Sequence, residues 1–128
     1  MQLDPHYDDV VVEVAGFLAG RFEALVTAGI DPECLCLDPG IGFGKTLGHN
    51  LELLRGVDRL APADRPLLIG LSRKSFIGHL LGDDDLELRE WPTVALTAFT
   101  REAGARIHRV HSVRPNLEAM RMVEAVMG

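Results

Sequence analysis

Apolar residues recur every three or four positions from Val11 through Val14, Leu18 and Phe22 to Leu25, directly behind Asp8 and Asp9. That spacing predicts an amphipathic helix with acids at its positive end, stopped at Ala28-Gly29. Cys34-Leu35-Cys36-Leu37 follows as a short apolar strand running into Asp38-Pro39-Gly40, and Gly40-Ile41-Gly42-Phe43-Gly44-Lys45 reads as a loop. A second helix carries Leu51, Leu54, Val57 and Leu60 on one side and ends at Pro62. Leu67-Leu68-Ile69-Gly70-Leu71 is a second strand, running into Ser72-Arg73-Lys74-Ser75. Residues 83–90, with three consecutive Asp, two Glu and an Arg, predict a solvated loop or a frayed turn. Pro92 takes the first position of a nearly all-apolar helix, Val94 to Ala103, ended by Gly104. Arg106 to Val110 make a third strand ending at His111-Ser112, and Pro115 opens a last helix with Leu117, Met120, Val123 and Met127 inward.

Helices alternating with strands give parallel strands joined by crossover helices, an α/β protein. Continuous apolar strands are expected where both faces of a sheet are covered. The 128 residues are the size of one domain, residues 1–128. Thirteen Lys and Arg against nineteen Asp and Glu leave a net charge of −6, which argues against a general nucleic-acid binder. No apolar run approaches the ~18 residues of a membrane span, so no membrane partner is expected. Met-Gln-Leu-Asp-Pro-His lacks the basic-then-apolar order of a secretory signal. Cys34 and Cys36 are too close for an ordinary structural disulfide. As strand residues they point to one buried face, and the cytoplasm is the default compartment.

Side chains on a strand alternate faces. Cys34, Cys36 and Asp38 therefore share one face of the first strand, Leu68, Gly70, Ser72 and Lys74 one of the second, and Ile107, Arg109 and His111 one of the third. Each face turns from apolar to polar at the strand's C-terminal end, where parallel α/β folds bind ligands. Lys74, Arg109 and His111, with Lys45 from the glycine loop, form a cationic set suited to phosphate or pyrophosphate. Asp38 could take paired N–H donors from a planar heterocycle as a buried carboxylate beside Phe43, pair with Lys74, or serve as a turn residue before Pro39. Gly44-Lys45-Thr46 ends like a P-loop, but Pro39 stands where the first glycine belongs and has no N–H for a phosphate cradle. Gly40 and Gly42 are followed by Lys45 rather than the third glycine of a dinucleotide fingerprint. A nucleotide-binding protein remains an alternative. His6, His49, His79 and His108 belong to no metal-spaced set, and Met120 and Met127 read as core.

Three segments together resemble the successive signatures of the dihydropteroate synthase family: Asp38-Pro39-Gly40-Ile41-Gly42-Phe43-Gly44-Lys45, Gly70-Leu71-Ser72-Arg73-Lys74-Ser75-Phe76-Ile77-Gly78, and Arg109-Val110-His111. They stand in the family's order and spacing from about Tyr7 onward. The resemblance implies a TIM-type (β/α)8 barrel, of which this chain supplies the C-terminal part, the last three βα units. It also implies a folate-biosynthesis transferase that joins hydroxymethyl-dihydropterin pyrophosphate to para-aminobenzoate and releases pyrophosphate. Asp38 would hold the pterin, Lys74 would contact the pterin and neutralise the departing group, and Arg109 and His111 would bind pyrophosphate. Ser72 and Phe43 would line the aminobenzoate side, and Gly70 completes the implied substrate-binding set. Lys74, Arg109 and His111 are the implied catalytic residues. Mg²⁺ is the implied cofactor, with its ligand in an N-terminal half and none in this chain, and the complete enzyme is expected to be a homodimer. Arg89-Glu90-Trp91-Pro92-Thr93 departs from the family's usual helix start, and Ser112 stands where an acid is usual. A complete barrel needs about 250 residues, so this chain alone is expected to be inactive, with Met1 matching an internal methionine of the family. Two other readings remain: a related pterin-binding enzyme such as a methyltetrahydrofolate methyltransferase, and a non-enzymatic half-barrel completed by a partner chain.

Overall fold

Asp9 stands in extended conformation with φ −140° and accepts the N–H groups of Val11 and Val12 on its carboxylate, so α1 (Val10–Thr27) begins at the acid pair. This is seen in a computed structural model that describes residues 4–128; the first three residues of the expected domain lie outside the described residues. Val11, Val14 and Leu18 are buried and Phe22 and Leu25 half-buried, as their spacing predicts. Thr46 and His49 cap α2 (Leu47–Arg55) reciprocally. The second helix does not run on to Pro62. It breaks at Gly56, where an added Cβ would lie 2.9 Å from Val11 Cγ1, because α1 packs directly on the backbone there. Two 3₁₀ turns, Val57–Arg59 and Pro62–Asp64, carry the chain onward, and Leu53, Leu54, Val57 and Leu60 pack into the core.

The strands are shorter than the apolar runs that encode them. β1 (Leu68–Ile69) pairs in parallel with β2 (Ile107–His108), Leu68 opposite Ile107 and Ile69 opposite His108. Leu37 joins on the other side through a parallel bridge to Leu67. The helices α3 (Ser75–Leu81), α4 (Glu90–Glu102) and α5 (Val113–Met127) complete the order, and the chain is a mixed α/β fold with parallel pairing.

Three expectations are corrected. Residues 32–34 form a 3₁₀ turn capped by Asp31, so only Leu37 of the first predicted strand pairs, and Cys34 and Cys36 are exposed rather than buried. Both sheet faces are not covered: Leu67, Ile69 and Leu71 are buried, whereas Ile107, on the opposite face, is 39% exposed. The α5 stripe is not core, since Leu117 and Met127 are exposed and Asn116 is the buried residue of the helix.

The helix α4 also differs from its apolar prediction. It begins at Glu90, two residues before Pro92, and its inward face is Thr93, Thr97 and Thr100. Threonine can be buried here because each hydroxyl finds a partner. Thr93 donates to Arg89 O at 2.6 Å, Thr97 to Asn116 Oδ1 at 2.7 Å, and Thr100 to Leu96 O at 2.8 Å. Thr100 Oγ1 also lies 2.8 Å from His108 Nε2. With the hydroxyl proton on Leu96, Nε2 carries the ring proton, and the buried Nδ1 is a lone pair without a partner.

Burial and then the charge of Arg101 push the His108 pKa down to about 4. The unfolded chain takes up a proton near pH 6.5 and the folded one only near pH 4, so stability falls as pH drops through that window and then levels off. The thermal midpoint is expected to fall across it, with a smaller fall in His108→Gln. Equal falls in the two proteins would count against this assignment.

Candidate active site

The strand ends converge on one edge of the sheet. After Leu37 the chain turns at Asp38, whose Oδ1 accepts the Gly40 N–H at 2.8 Å. Of the three roles open to it, Asp38 performs the turn role before Pro39, and it is exposed rather than a buried carboxylate. The glycine loop behind it is tightly held. Gly42 N donates to Asn50 Oδ1 at 2.7 Å, Asn50 Nδ2 to Thr46 O at 2.8 Å, and Tyr7 OH to Gly44 O at 3.1 Å. Lys45 Nζ donates to the Gly40 and Phe43 carbonyls, both at 3.0 Å. Lys45 therefore closes the loop rather than joining the cationic cluster. Burial lowers its pKa, against the opposing pull of the Asp38 charge.

The loop delivers Phe43 to Lys74, whose Nζ sits 3.3 Å from the ring centroid, a cation–π contact. Gly42 permits this approach: at φ +85° it adopts a conformation that favours glycine, and an added Cβ would lie 3.0 Å from Lys74 Cδ. Burial and then the Arg109 charge lower the Lys74 pKa, with Asp38 opposing. The Arg109 guanidinium lies over Gly70, where a Cβ would come within 3.0 Å of Nη2. Ser72 is 6% exposed, its Oγ 2.9 Å from His111 Nδ1, and it accepts the His111 backbone N–H at 3.2 Å. Its hydroxyl thus orients His111.

Phe43, Gly70, Ser72, Lys74, Arg109 and His111 line one cleft of about 430 Å³. Asp38 lines a second cleft of about 450 Å³ with Tyr7 and Lys45, and Phe43 stands between the two. The cleft thus brings six of the seven candidates together, Gly70, Ser72, Arg109 and His111 by strand parity and Phe43 and Lys74 from the loops, and Asp38 lies next door. An arrangement of two cations and an imidazole beside an aromatic face and a carboxylate can bind an anion at one end and a polar planar ring at the other.

Sequence reading missed the supports behind this cleft. Arg73 adopts the left-handed φ of 58° between Ser72 and Lys74. Its N donates to Thr93 Oγ1 at 3.3 Å, its carbonyl accepts Arg89 Nη1 at 3.1 Å, and its Nε donates to Glu90 Oε2 at 2.9 Å. Arg89 is 7% exposed and fills the space over Gly78, where a Cβ would lie 2.5 Å from Nη2. Residues 83–90 are therefore not all solvated. The only sequence signal was the family motif's Gly78, whose need for an absent side chain becomes evident once Arg89 is in place.

A family model described as "Pterin binding enzyme" matches residues 1–111. The dihydropteroate synthase of Neisseria meningitidis serogroup C is 46% identical over 127 residues, covering 98% of this chain and 45% of the relative. That of Escherichia coli strain K12 is 44% identical over 128 residues, covering all of this chain and 45% of the relative. Among solved structures, dihydropteroate synthase from Xanthomonas albilineans in complex with 7,8-dihydropteroate has a TM-score of 0.93 at 42% identity, covering 100% of this chain and 49% of that one. Yersinia pestis dihydropteroate synthase with a sulfonamide drug has a TM-score of 0.92 at 42% identity, covering 98% and 46%. The chain spans about half the length of the curated relatives it matches. With two strand-end turns lining one cationic cleft, the Asp38 turn in the cleft beside it, and a family match over most of its length, the chain belongs to the pterin binding enzyme family.

Proposed function

We propose that the complete protein is a dihydropteroate synthase, a transferase of folate biosynthesis, and that these residues form the last three βα units of its (β/α)8 barrel. The observation that carries this is the cleft in which Arg109, Lys74 and His111 face Phe43, with Asp38 just beyond it. Asp38 takes N–H donors of the pterin through the carboxylate oxygen its turn leaves over. Arg109 and His111 hold the pyrophosphate, and Lys74 meets the pterin and the charge that grows on the departing oxygen. Phe43 and Ser72 border the aminobenzoate side, where Ser72 acts chiefly through His111. The amine nitrogen attacks the pterin methylene, the C–O bond breaks, pyrophosphate leaves with the bonding pair, and the amine loses a proton. The residues supply position and electrostatic stabilisation without a covalent enzyme intermediate.

Parallel pairing and the uncovered Ile107 face support the barrel, because that face is an interior only when further strands close over it. We place the ligand of the implied Mg²⁺ in the N-terminal half, outside these residues, and assign no step to it. A homodimer belongs to the same proposal, supported by the exposed Phe99, Met122 and Val126 on α4 and α5. So does a cytoplasmic location, supported by the free cysteines. No described helix is long and apolar enough to cross a membrane.

Incubated with hydroxymethyl-dihydropterin pyrophosphate and para-aminobenzoate, the complete protein is expected to release one pyrophosphate per dihydropteroate formed. Methyl transfer from methyltetrahydrofolate, with no pyrophosphate binding, would overturn the assignment in favour of a methyltransferase. The Arg109–His111 pair favours the synthase, since methyl transfer offers it no polyanion to hold.

A further inference from the structure

The helix α4 contributes no residue to the cleft, yet its first turn holds one of the loops that do. Glu90, its first residue, accepts Arg73 Nε on Oε2 at 2.9 Å, and its side chain is 20% exposed. Arg73 lies between Ser72 and Lys74 in a left-handed conformation that is unfavourable for a non-glycine residue, so it needs restraint from outside its own loop. The other carboxylate oxygen, Oε1, is buried without a hydrogen-bond partner. The turn that Glu90 holds reaches the loop after β2 through Ser72, whose Oγ lies 2.9 Å from His111 Nδ1 and accepts the His111 backbone N–H at 3.2 Å. Burial works to raise the Glu90 pKa, but the Arg73 hydrogen bond, then Ser112 and the charges of Arg73 and His111, outweigh it and leave it below its ordinary value. The carboxylate thus braces the Ser72-Arg73-Lys74 loop from outside it.

We propose that Glu90 is a positioning residue that holds the Ser72-Arg73-Lys74 turn through Arg73 and, because Ser72 is hydrogen-bonded to His111, sets the spacing of that turn from the Arg109-Val110-His111 turn and so of the cations that bind pyrophosphate. The inference rests on the synthase assignment above. It assigns Glu90 a task distinct from the neighbouring Arg89, which fills the Gly78 contact and holds backbone carbonyls. Glu90 touches no reacting atom in this arrangement. Its effect must therefore appear at the anion end of the cleft and pass through Arg73.

The test is calorimetric titration of the complete protein with inorganic pyrophosphate, together with steady-state kinetics in both substrates. Glu90→Ala is expected to weaken pyrophosphate binding about tenfold, the size of a lost charge-assisted hydrogen bond, while KM for para-aminobenzoate moves less than twofold. Glu90→Gln, which keeps the shape and an acceptor for Arg73, is expected to lose only two- to threefold and covers the case in which the alanine variant folds poorly. Combined with Arg73→Gln, Glu90→Ala should bind no worse than the weaker single variant, since the two act as one unit. Unchanged pyrophosphate affinity in both Glu90 variants would overturn the proposal. Equal loss for both substrates would do the same, by showing general loosening. Failure of the unaltered protein to bind pyrophosphate would instead remove the synthase assignment, and this inference with it.

Discussion

Replacing Lys74 with alanine in the complete protein is expected to lower kcat/KM about 100- to 1,000-fold, the range seen when one preorganised group that meets developing charge is removed. The ammonium is fixed in place before substrate arrives. It lies 3.3 Å over the Phe43 ring, Gly42 leaves room for its stem, and Arg109 stands near enough to depress its pKa. Burial is the larger cause of that depression, so the charge is partly stripped of water and has more to gain from an incoming anion. The fold has little stake in this side chain, which makes no hydrogen bond needed by the core, so the thermal midpoint should move by only a few degrees. Lys74→Met, which keeps an apolar stem against Phe43, should lose as much activity as the alanine variant, isolating the charge as the cause. Near-normal turnover in either variant would mean that Lys74 does not stabilise the departing group.

The location of the cleft was legible because strand alternation is a rigid geometric rule. Gly70, Ser72, Arg109 and His111 needed only the correct strand register to fall on one face, and the register holds through Leu68–Ile107. The helix α1 was legible for a similar reason, since an acid cap and a 3.6-residue period agree with each other. What misled was the use of apolarity as a sign of burial. Cys34 and Cys36 look like core residues, but Cys34 ends a 3₁₀ turn and Cys36 precedes the Leu37 bridge, and both are exposed. Met127 and Leu117 are exposed on α5 although their spacing suits a core stripe. The converse error occurred on α4, where Thr93, Thr97 and Thr100 are fully buried. Their hydroxyls are satisfied by carbonyls of their own helix or by residues far along the chain, as with Thr97 and Asn116, and local periodicity does not contain such partners. Arg89 and Glu90 were hidden in an acidic stretch that reads as solvent-facing, because a buried charge is identifiable only through the groups that meet it.

The same open face sets the second large effect: residues 1–128 by themselves should form no dihydropteroate from the two substrates and Mg²⁺. Two paired strands and one bridge present a single concave edge, with Ile107 39% exposed where a barrel interior would be packed with side chains. Asp38 stands at the border of that face, exposed, with only its own turn to hold it. A pterin bound there would touch protein on one side and water on the other, so the pyrophosphate end would be gripped while the ring end was not. Catalysis by positioning fails under those conditions, since a misplacement of about 1 Å can cost a hundredfold in rate. The expected result is weak pyrophosphate binding by residues 1–128 with no product, against full turnover by the protein of the length its relatives share. Product formed at a comparable rate by residues 1–128 would show that the three strand-end turns are a sufficient active site and that the barrel contributes stability alone. Intact mass of the native gene product gives an independent check, and a value about twice that of 128 residues is expected if the barrel is encoded whole. A native product of 128 residues would favour a half-barrel that acquires its remaining strands from a partner chain, with the uncovered Ile107 face as the place where they dock.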